Sequence, residues 1–389
     1  MSSGKGPLSG VRIIELAGLG PAPFGAMLLA DMGAEVIRID RMGGGSGIGV
    51  DPKFDVLARN RKNVRLDLKH PDGKQALMRM IEQADGLIEG FRPGVLERLG
   101  FAPDDLLARN PRLVIGRMTG WGQDGPLALT AGHDINYIAL TGALFSIGSK
   151  NGPPVPPLNL VGDFGGGGLI LAFGMVCALL EARGSGRGQV VDAAMVDGAA
   201  LLMAGVHGML AQGMFQEKRG ETILNGGAPF YAVYECADGE YVTIGSLEPQ
   251  FFAELMARLE IDAEVFGNRN DPRLWPEQRV IMENVFKSRT RDEWTTLLQD
   301  TDVCFAPVLR MTEAPSHPHN KDRGVYVDIG GVSQPAPAPR FSRTQAGTCE
   351  APAMPGAHTD EVLANYGFAA EEIEHLHAGN AIAGPEEGK

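Results

Sequence analysis

Five short runs of branched apolar residues, separated by helix-like stretches, constrain this chain more than any other feature of its sequence. Residues 11–16, 35–39, 63–68, 86–89 and 113–117 read as strands, and 23–32 and 72–84 as helices. Such alternation predicts a parallel α/β sheet. Val11, Ile13, Ile14, Val36, Ile37, Ile39, Val114 and Ile115 make these strands apolar almost throughout. That pattern is required where helices cover both sheet faces, so the large domain is expected to be Rossmann-like.

The glycines of the first turn do not bind a redox nucleotide by the usual rule. Gly18 and Gly20 are followed by Gly25, so the spacing of a G-x-G-x-x-G fingerprint fails. A helix expected from about 166 to 183 is apolar on nearly every face (Leu169, Ile170, Leu171, Phe173, Met175, Val176, Leu179, Leu180) and stops at a glycine-rich turn. It reads as a buried, central helix. The longest apolar run, 165–180, is shorter than the roughly 20 residues of a membrane span.

Beyond residue 190 the character changes. Residues 190–215 are apolar and contain Met195, Met203, Met209 and Met214, which suit either a pliable surface for an apolar ligand or ordinary core and dimer packing. The runs 230–236 and 240–244 flank Ala237-Asp238-Gly239, a strong hairpin signal. Amphipathic segments at 250–259, 275–286 and 290–298 follow, giving a smaller α+β domain. The expected organisation is a large α/β domain at 1–190, a helical connection at 191–224, the small domain at 225–325, and a return linker with two short helices at 326–389. The linker portion 330–356 reads as extended.

Composition narrows the partners. Of 389 residues, 48 are Asp or Glu and 35 Lys or Arg, a net charge of −13 that gives the chain no general attraction to nucleic acid or anionic membranes. An anionic ligand therefore needs a local basic pocket. Cys177, Cys236, Cys304 and Cys349 are widely spaced with no C-x-x-C, so reduced thiols are expected, and Cys304 reads as a packed small hydrophobe. The N-terminal sequence lacks the pattern of a signal peptide and the C-terminal EEGK is not a peroxisomal address, which points to the cytoplasm.

Two segments concentrate polar chemistry: Gly132–Tyr137 (GHDINY) and Gly162–Gly168 (GDFGGGG). Asp163 is either a helix N-cap or a ligand-facing carboxylate, and His133 either a bonded loop residue or a base. Glycines beside Asp163 allow close approach of a ligand to the backbone. The pairs His133-Asp134, His317-x-His319 and His375-x-His377 have no third ligand at a recognisable offset, so no metal is expected. G-x-S-x-G and a P-loop are both missing.

Taken in order, GPLSGVRIIELAGLGPAPF, GHDINY, PPLNLVGDFGGGG, GRGQVVDAAMVDG, YECADGEYVTIG and GSLEPQF resemble the α-methylacyl-CoA racemases of the class III CoA-transferase superfamily, over roughly residues 7–343. The resemblance implies an interlocked homodimer, an acyl-CoA thioester substrate and no cofactor. It places the acid/base pair on His133 and Asp163, and a glutamate that orients the histidine on Glu248. It also maps CoA contacts onto Arg41, Leu66, Asp67, Leu68, Lys69, Gly90, Phe91, Arg92, Arg98 and the segment Gly132, Asp134, Ile135, Asn136 and Tyr137. The glycine insert 43–49 departs from the pattern.

The chemistry explains the residue types. A hydrogen α to a thioester is weakly acidic, so inversion requires a base on one face, an acid on the other, and donors for the developing enolate oxygen. His133 and Asp163 would exchange these roles, and the amides of Gly165–Gly168 are expected to hold the enolate. The alternative is a CoA-transferase in which Asp163 attacks the acyl-CoA to form a mixed anhydride. A histidine at position 133 speaks for the racemase.

Overall fold

The computed structural model describes residues 6–43, 50–347 and 349–385, so most of the glycine insert 43–49 lies outside the described residues. The chain divides into two compact units. One comprises Met1–Thr141, Leu158–Met203 and Gly324–Lys389, and the other Gly142–Pro157 and Ala204–Arg323.

The first unit is built on a seven-stranded sheet. β1 (Arg12–Leu16), β2 (Glu35–Asp40), β3 (Arg61–Leu66), β4 (Gly86–Glu89), β5 (Val114–Thr119) and β6 (Val190–Ala194) are parallel in the order 3-2-1-4-5-6. A short strand, Ile382–Ala383, extends the edge antiparallel to β3. This is the doubly wound order of a Rossmann sheet, as the strand pattern predicts.

Both faces are covered, which is why the strands are apolar throughout. On one side α2 (Pro71–Ile81), α3 (Val95–Arg98) and α4 (Pro103–Arg109) join the C-terminal helices Thr359–Asn365 and Ala370–Ala378 around Ile14, Leu77, Met80, Leu87, Leu363 and Leu376. On the other, α1 (Pro21–Asp31) and α6 (Leu169–Ser185) enclose Ile13, Ala26, Leu29, Val114, Leu171 and Met175. Proline opens α1 and α2, where its missing N–H costs nothing, and His70 caps α2 by accepting the Asp72 N–H at 3.2 Å.

Several features differ from the sequence expectation. β3 lies two residues earlier than the apolar pattern suggests, because its buried Arg61, Asn63 and Arg65 are tolerated through internal partners such as Glu15, 2.8 Å from Arg61 Nε. The first unit runs on past residue 190, since β6 pairs with β5 and is followed directly by α7 (Met195–Leu202). Residues 142–157 go with the second unit, where Arg219 donates to the carbonyls of Phe145 and Gly152. The return segment contains a hairpin, Tyr326–Ile329 against Val332–Pro335, turned by Gly330 and Gly331 at positive φ.

The apolar helix also differs from expectation. It starts at Leu160, first as a π-helix over Leu160–Gly168 and then as α6. The continuous Leu160–Ser185 segment is long and apolar enough to cross a membrane by length and composition. Its inner face packs on the sheet through Leu171, Met175 and Leu179. Its outer face is not buried in the chain: Leu169, Phe173, Val176 and Leu180, at helical spacing, are exposed.

The second unit holds a three-stranded antiparallel sheet of β7 (Tyr231–Glu235), β8 (Tyr241–Gly245) and β9 (Phe305–Pro307). Gly239 at φ 78° makes the turn between β7 and β8. Helices α8 (Pro249–Arg258), α9 (Trp275–Phe286) and α10 (Arg291–Leu298) close one face over Tyr234, Ile244, Leu255, Phe286 and Trp294.

Candidate active site

A parallel sheet delivers the loops that follow its strands to one edge, and ligands bind there, at the point where the strand order reverses. In the first unit that point lies between β1 and β4. Arg41 follows β2, Asp67–Lys69 follow β3 and Gly90–Arg92 follow β4. The sheet thus brings the sequence-selected CoA-loop residues to one edge. Arg41, Lys69, Gly90, Arg92 and Arg98 are exposed and Phe91 is half-buried. Leu66 is different: its side chain is wholly buried in the core, so only its backbone is left to meet a ligand. Asp67 turns the chain by accepting the Lys69 N–H at 2.9 Å, and Leu68 packs against the core.

His133 and Asp163 belong to the same unit. His133 is exposed and immediately precedes α5 (Asp134–Leu140), its backbone N–H held at 3.0 Å by Asn136 Oδ1. The next residue, Asp134, is buried and accepts the backbone N–H of Asp163 at 2.7 Å. Asp134 and Asn136, two of the residues read as CoA contacts, therefore tie the site together internally. A side chain on Gly162 would collide with the Asp134 carboxylate, which accounts for that glycine.

Burial pushes the Asp163 carboxyl above the usual carboxylate range, and the charge of Asp134 adds to this. Asn159, which donates to Asp163 Oδ2 at 3.0 Å, and His133 draw it back down. Asn159 lies in the PPLNLVGDFGGGG segment but was not singled out as a site residue in the sequence. Gly20, at φ 69°, brings the turn after β1 against the same carboxylate: a Cβ there would stand 3.2 Å from Asp163 Oδ2. Asp163 thus sits at the strand-order switch point. Tyr137 is buried, its ring edge-on to Trp121 at 4.7 Å, and its phenol is raised by burial and by Asp163 and lowered by Arg92. Arg92 and Tyr137 therefore share the electrostatic surroundings of Asp163.

The glycine run has another role than the one its sequence suggests. Because the helix begins at Leu160, the Gly165–Gly168 amides lie inside a π-helix whose ladder runs from Phe164 N–H to the Asn159 carbonyl at 3.3 Å and onward to Leu169. They are not helix-terminal donors. Their lack of side chains lets neighbouring backbones touch: Gly166 lies against Gly198 of α7, and Gly168 against Pro21 and Gly25 of α1. The amides next to His133 that a helix leaves without an acceptor of its own are instead the first ones of α5.

Glu248 belongs to the second unit, exposed at the residue before α8. Its turn is fixed by Arg269, which donates to the carbonyls of Ser246 and Leu247 at 2.9 and 2.8 Å while lying over the rings of Phe230 and Phe252. Cys304, at φ 54°, has its thiol raised by burial and by Glu248, the opposite of what a nucleophile needs.

Comparison with known proteins agrees with this architecture. A sequence profile of CoA-transferase family III matches residues 8–359, and the chain belongs to that family. It is 44% identical to the α-methylacyl-CoA racemase of Mus musculus over 377 residues, covering 96% of this chain and 97% of the mouse protein. It is 41% identical to the Homo sapiens enzyme of the same name, with the same coverage of each chain. The crystal structure of a CAIB/BAIF family protein from Brucella suis superposes with a TM-score of 0.82 at 24% identity, over 93% of this chain and all of the other.

Proposed function

We propose that this chain is an isomerase that interconverts (2R)- and (2S)-2-methylacyl-CoA thioesters by 1,1-proton transfer. The observation that carries the reading is the environment of Asp163, a half-buried carboxyl with raised affinity for a proton, electrostatically coupled to His133 and fixed through Asp134. Its relatives of highest identity reported above carry the racemase name.

In one direction neutral His133 removes the α-proton while protonated Asp163 delivers one to the opposite face. The reverse begins from imidazolium and carboxylate, so the pair shares a single proton. The enolate oxygen is held by the leading amides of α5, at Asp134 and Ile135, which have no acceptor within the helix. Arg41, Arg92 and Arg98 bind the CoA phosphates from the loop edge. Glu248 takes the orienting role that the resemblance implies. The chemistry needs neither metal nor redox cofactor, because only protons move.

The exposed stripe Phe173, Val176 and Leu180 of α6, with Leu201 and Leu202 of α7, supports a homodimer.

The test is incubation of wild type, His133→Ala and Asp163→Asn with each enantiomer in deuterated water, without an acyl acceptor. Wild type inverts configuration with deuterium uptake, and both variants lose inversion. CoA exchange with free carboxylic acids and no α-deuterium would overturn the reading in favour of acyl transfer through Asp163.

A further inference from the structure

Glu89 ends β4 and Arg117 faces it from β5, paired in register; both are buried, Glu89 completely. Arg117 Nε donates to Glu89 Oε1 at 2.8 Å. The other carboxylate oxygen of Glu89 accepts the Phe91 N–H at 2.6 Å, inside the loop that follows the strand. The far side of the same guanidinium reaches Glu97 on α3, with Nη1 to Oε1 at 2.8 Å and Nη2 to Oε2 at 3.3 Å. One arginine therefore grips both ends of segment 89–97: the strand end through Glu89, and the first turn after the loop through Glu97. Gly94 at φ 80° makes the intervening turn, and the Val95 N–H donates to the Arg92 carbonyl at 3.1 Å. Arg98 completes α3.

Burying this arginine costs desolvation that two carboxylates and a fixed geometry must offset. A core of apolar side chains would close the sheet without that cost, so the arrangement calls for a reason beyond packing. The bidentate fork supplies it, because a guanidinium holds two planar carboxylates at fixed angles, which a lysine does not do. The two exposed arginines of this loop, Arg92 and Arg98, stand on either side of the gripped turn.

We infer that Arg117 and Glu97 are positioning residues for CoA: they touch no ligand themselves, and they hold loop 90–94 and α3 so that Arg92 and Arg98 meet the CoA phosphates together. The inference rests on the CoA assignment of that loop made above. Loss of the clamp removes none of the hydrogen bonds that fix Asp163, to Asn159 and Asp134, so its main effect falls on binding of the CoA portion rather than on proton transfer at the bound thioester.

Glu97→Gln is the primary variant, because Glu97 is partly exposed and the buried Glu89–Arg117 pair survives the change. Free CoA binding is measured by calorimetry, and kcat and KM by racemisation, in two backgrounds: wild type and the joint variant Arg92→Ala, Arg98→Ala. The expected result is roughly tenfold weaker CoA binding and a raised KM with kcat within about twofold in the wild-type background, and almost no further loss in the arginine-free one, the non-additivity of groups acting through one another. Arg117→Lys, which keeps the buried charge but not the fork, reproduces the KM effect, with folding checked by thermal melting. Equal losses in both backgrounds, or a fall in kcat as large as the rise in KM, would overturn the positioning role. So would unchanged CoA binding in Glu97→Gln when the arginine variant alone binds weakly. Unchanged binding in the arginine variant itself would instead overturn the CoA assignment of the loop, and this inference with it.

Discussion

The Asp134 carboxylate accepts the backbone N–H of Asp163 at 2.7 Å, so the residue after the candidate base is bonded to the candidate acid. Its other oxygen, Oδ1, has no hydrogen-bond partner among the described residues. Asp163 is raised chiefly by its own burial, and the negative charge of Asp134 this close adds to that. Asp134→Asn keeps an oxygen for the N–H and removes the charge. Without that charge Asp163 holds its proton less tightly, so the limb of the kcat/KM pH profile that Asp163 governs moves to lower pH. A limb that stays in place, or moves to higher pH, would show that Asp134 does not tune Asp163.

Gly20 offers a sharper steric test. Its φ of 69° with ψ −117° lies in a region sparsely populated by L-residues, where a side chain costs about 1–3 kcal/mol, and the added Cβ would stand 3.2 Å from Asp163 Oδ2. Gly20→Ala is expected to lower the melting temperature by several degrees and to reduce kcat more than it raises KM, because it presses on the candidate acid and not on the loops proposed to bind CoA. Unaltered kcat would mean that the carboxylate moves freely away from this turn.

Much of this was legible in the sequence, for identifiable reasons. The strands around Val36, Ile37, Val114 and Ile115 are covered on both faces, and burial on both faces leaves an unbroken apolar run. Asp238-Gly239 makes its hairpin because turn chemistry is local. What escaped was whatever depends on long-range partners. β3 begins at Arg61, two residues before its apolar pattern, because the buried Arg61 and Asn63 meet Glu15 and Asp40 of neighbouring strands, partners that lie far away in the sequence. The start of the helix at Leu160 was hidden by the glycines, whose low helix propensity suggests a loop, whereas close backbone contacts with α1 and α7 require them. Asn159 gained its place beside Asp163 only through that extra turn of helix. The Gly330-Gly331 turn, by contrast, is a local signal that the proline-rich surroundings obscured.

The buried charges lead to a stability prediction. Arg59 and Asp31 are each 2% exposed and paired at 2.6 Å, and Arg59 also donates to Gln334 at 3.0 Å, fastening the return hairpin to α1. Asp31→Ala strands a buried guanidinium and is expected to cost about 3–5 kcal/mol. Replacing both partners with apolar residues, as in Asp31→Leu with Arg59→Met, removes the orphaned charge and is expected to cost clearly less. Denaturant melts of the two variants check the order, and a double variant less stable than the single one would contradict it.

The last prediction concerns the outer face of α6. Leu169, Phe173, Val176 and Leu180 recur at intervals of four, three and four residues, so they form one stripe, and Phe173 and Leu180 remain 67% and 72% exposed in the single chain. Leu201 and Leu202 of α7 are exposed as well. An uncovered apolar face of this kind on a chain with net charge −13 is expected to be buried against a second copy, since charge alone gives the chains no reason to associate. Light scattering at micromolar concentration should give twice the chain mass of 41.4 kDa. Phe173→Asp together with Leu180→Asp would place two carboxylates in that contact, each costing several kcal/mol when buried. The double variant is therefore expected to run at the mass of one chain or to aggregate, with circular dichroism reporting whether its secondary structure survives. A wild-type protein that scatters as a single chain while fully active would remove the dimer from the proposed function.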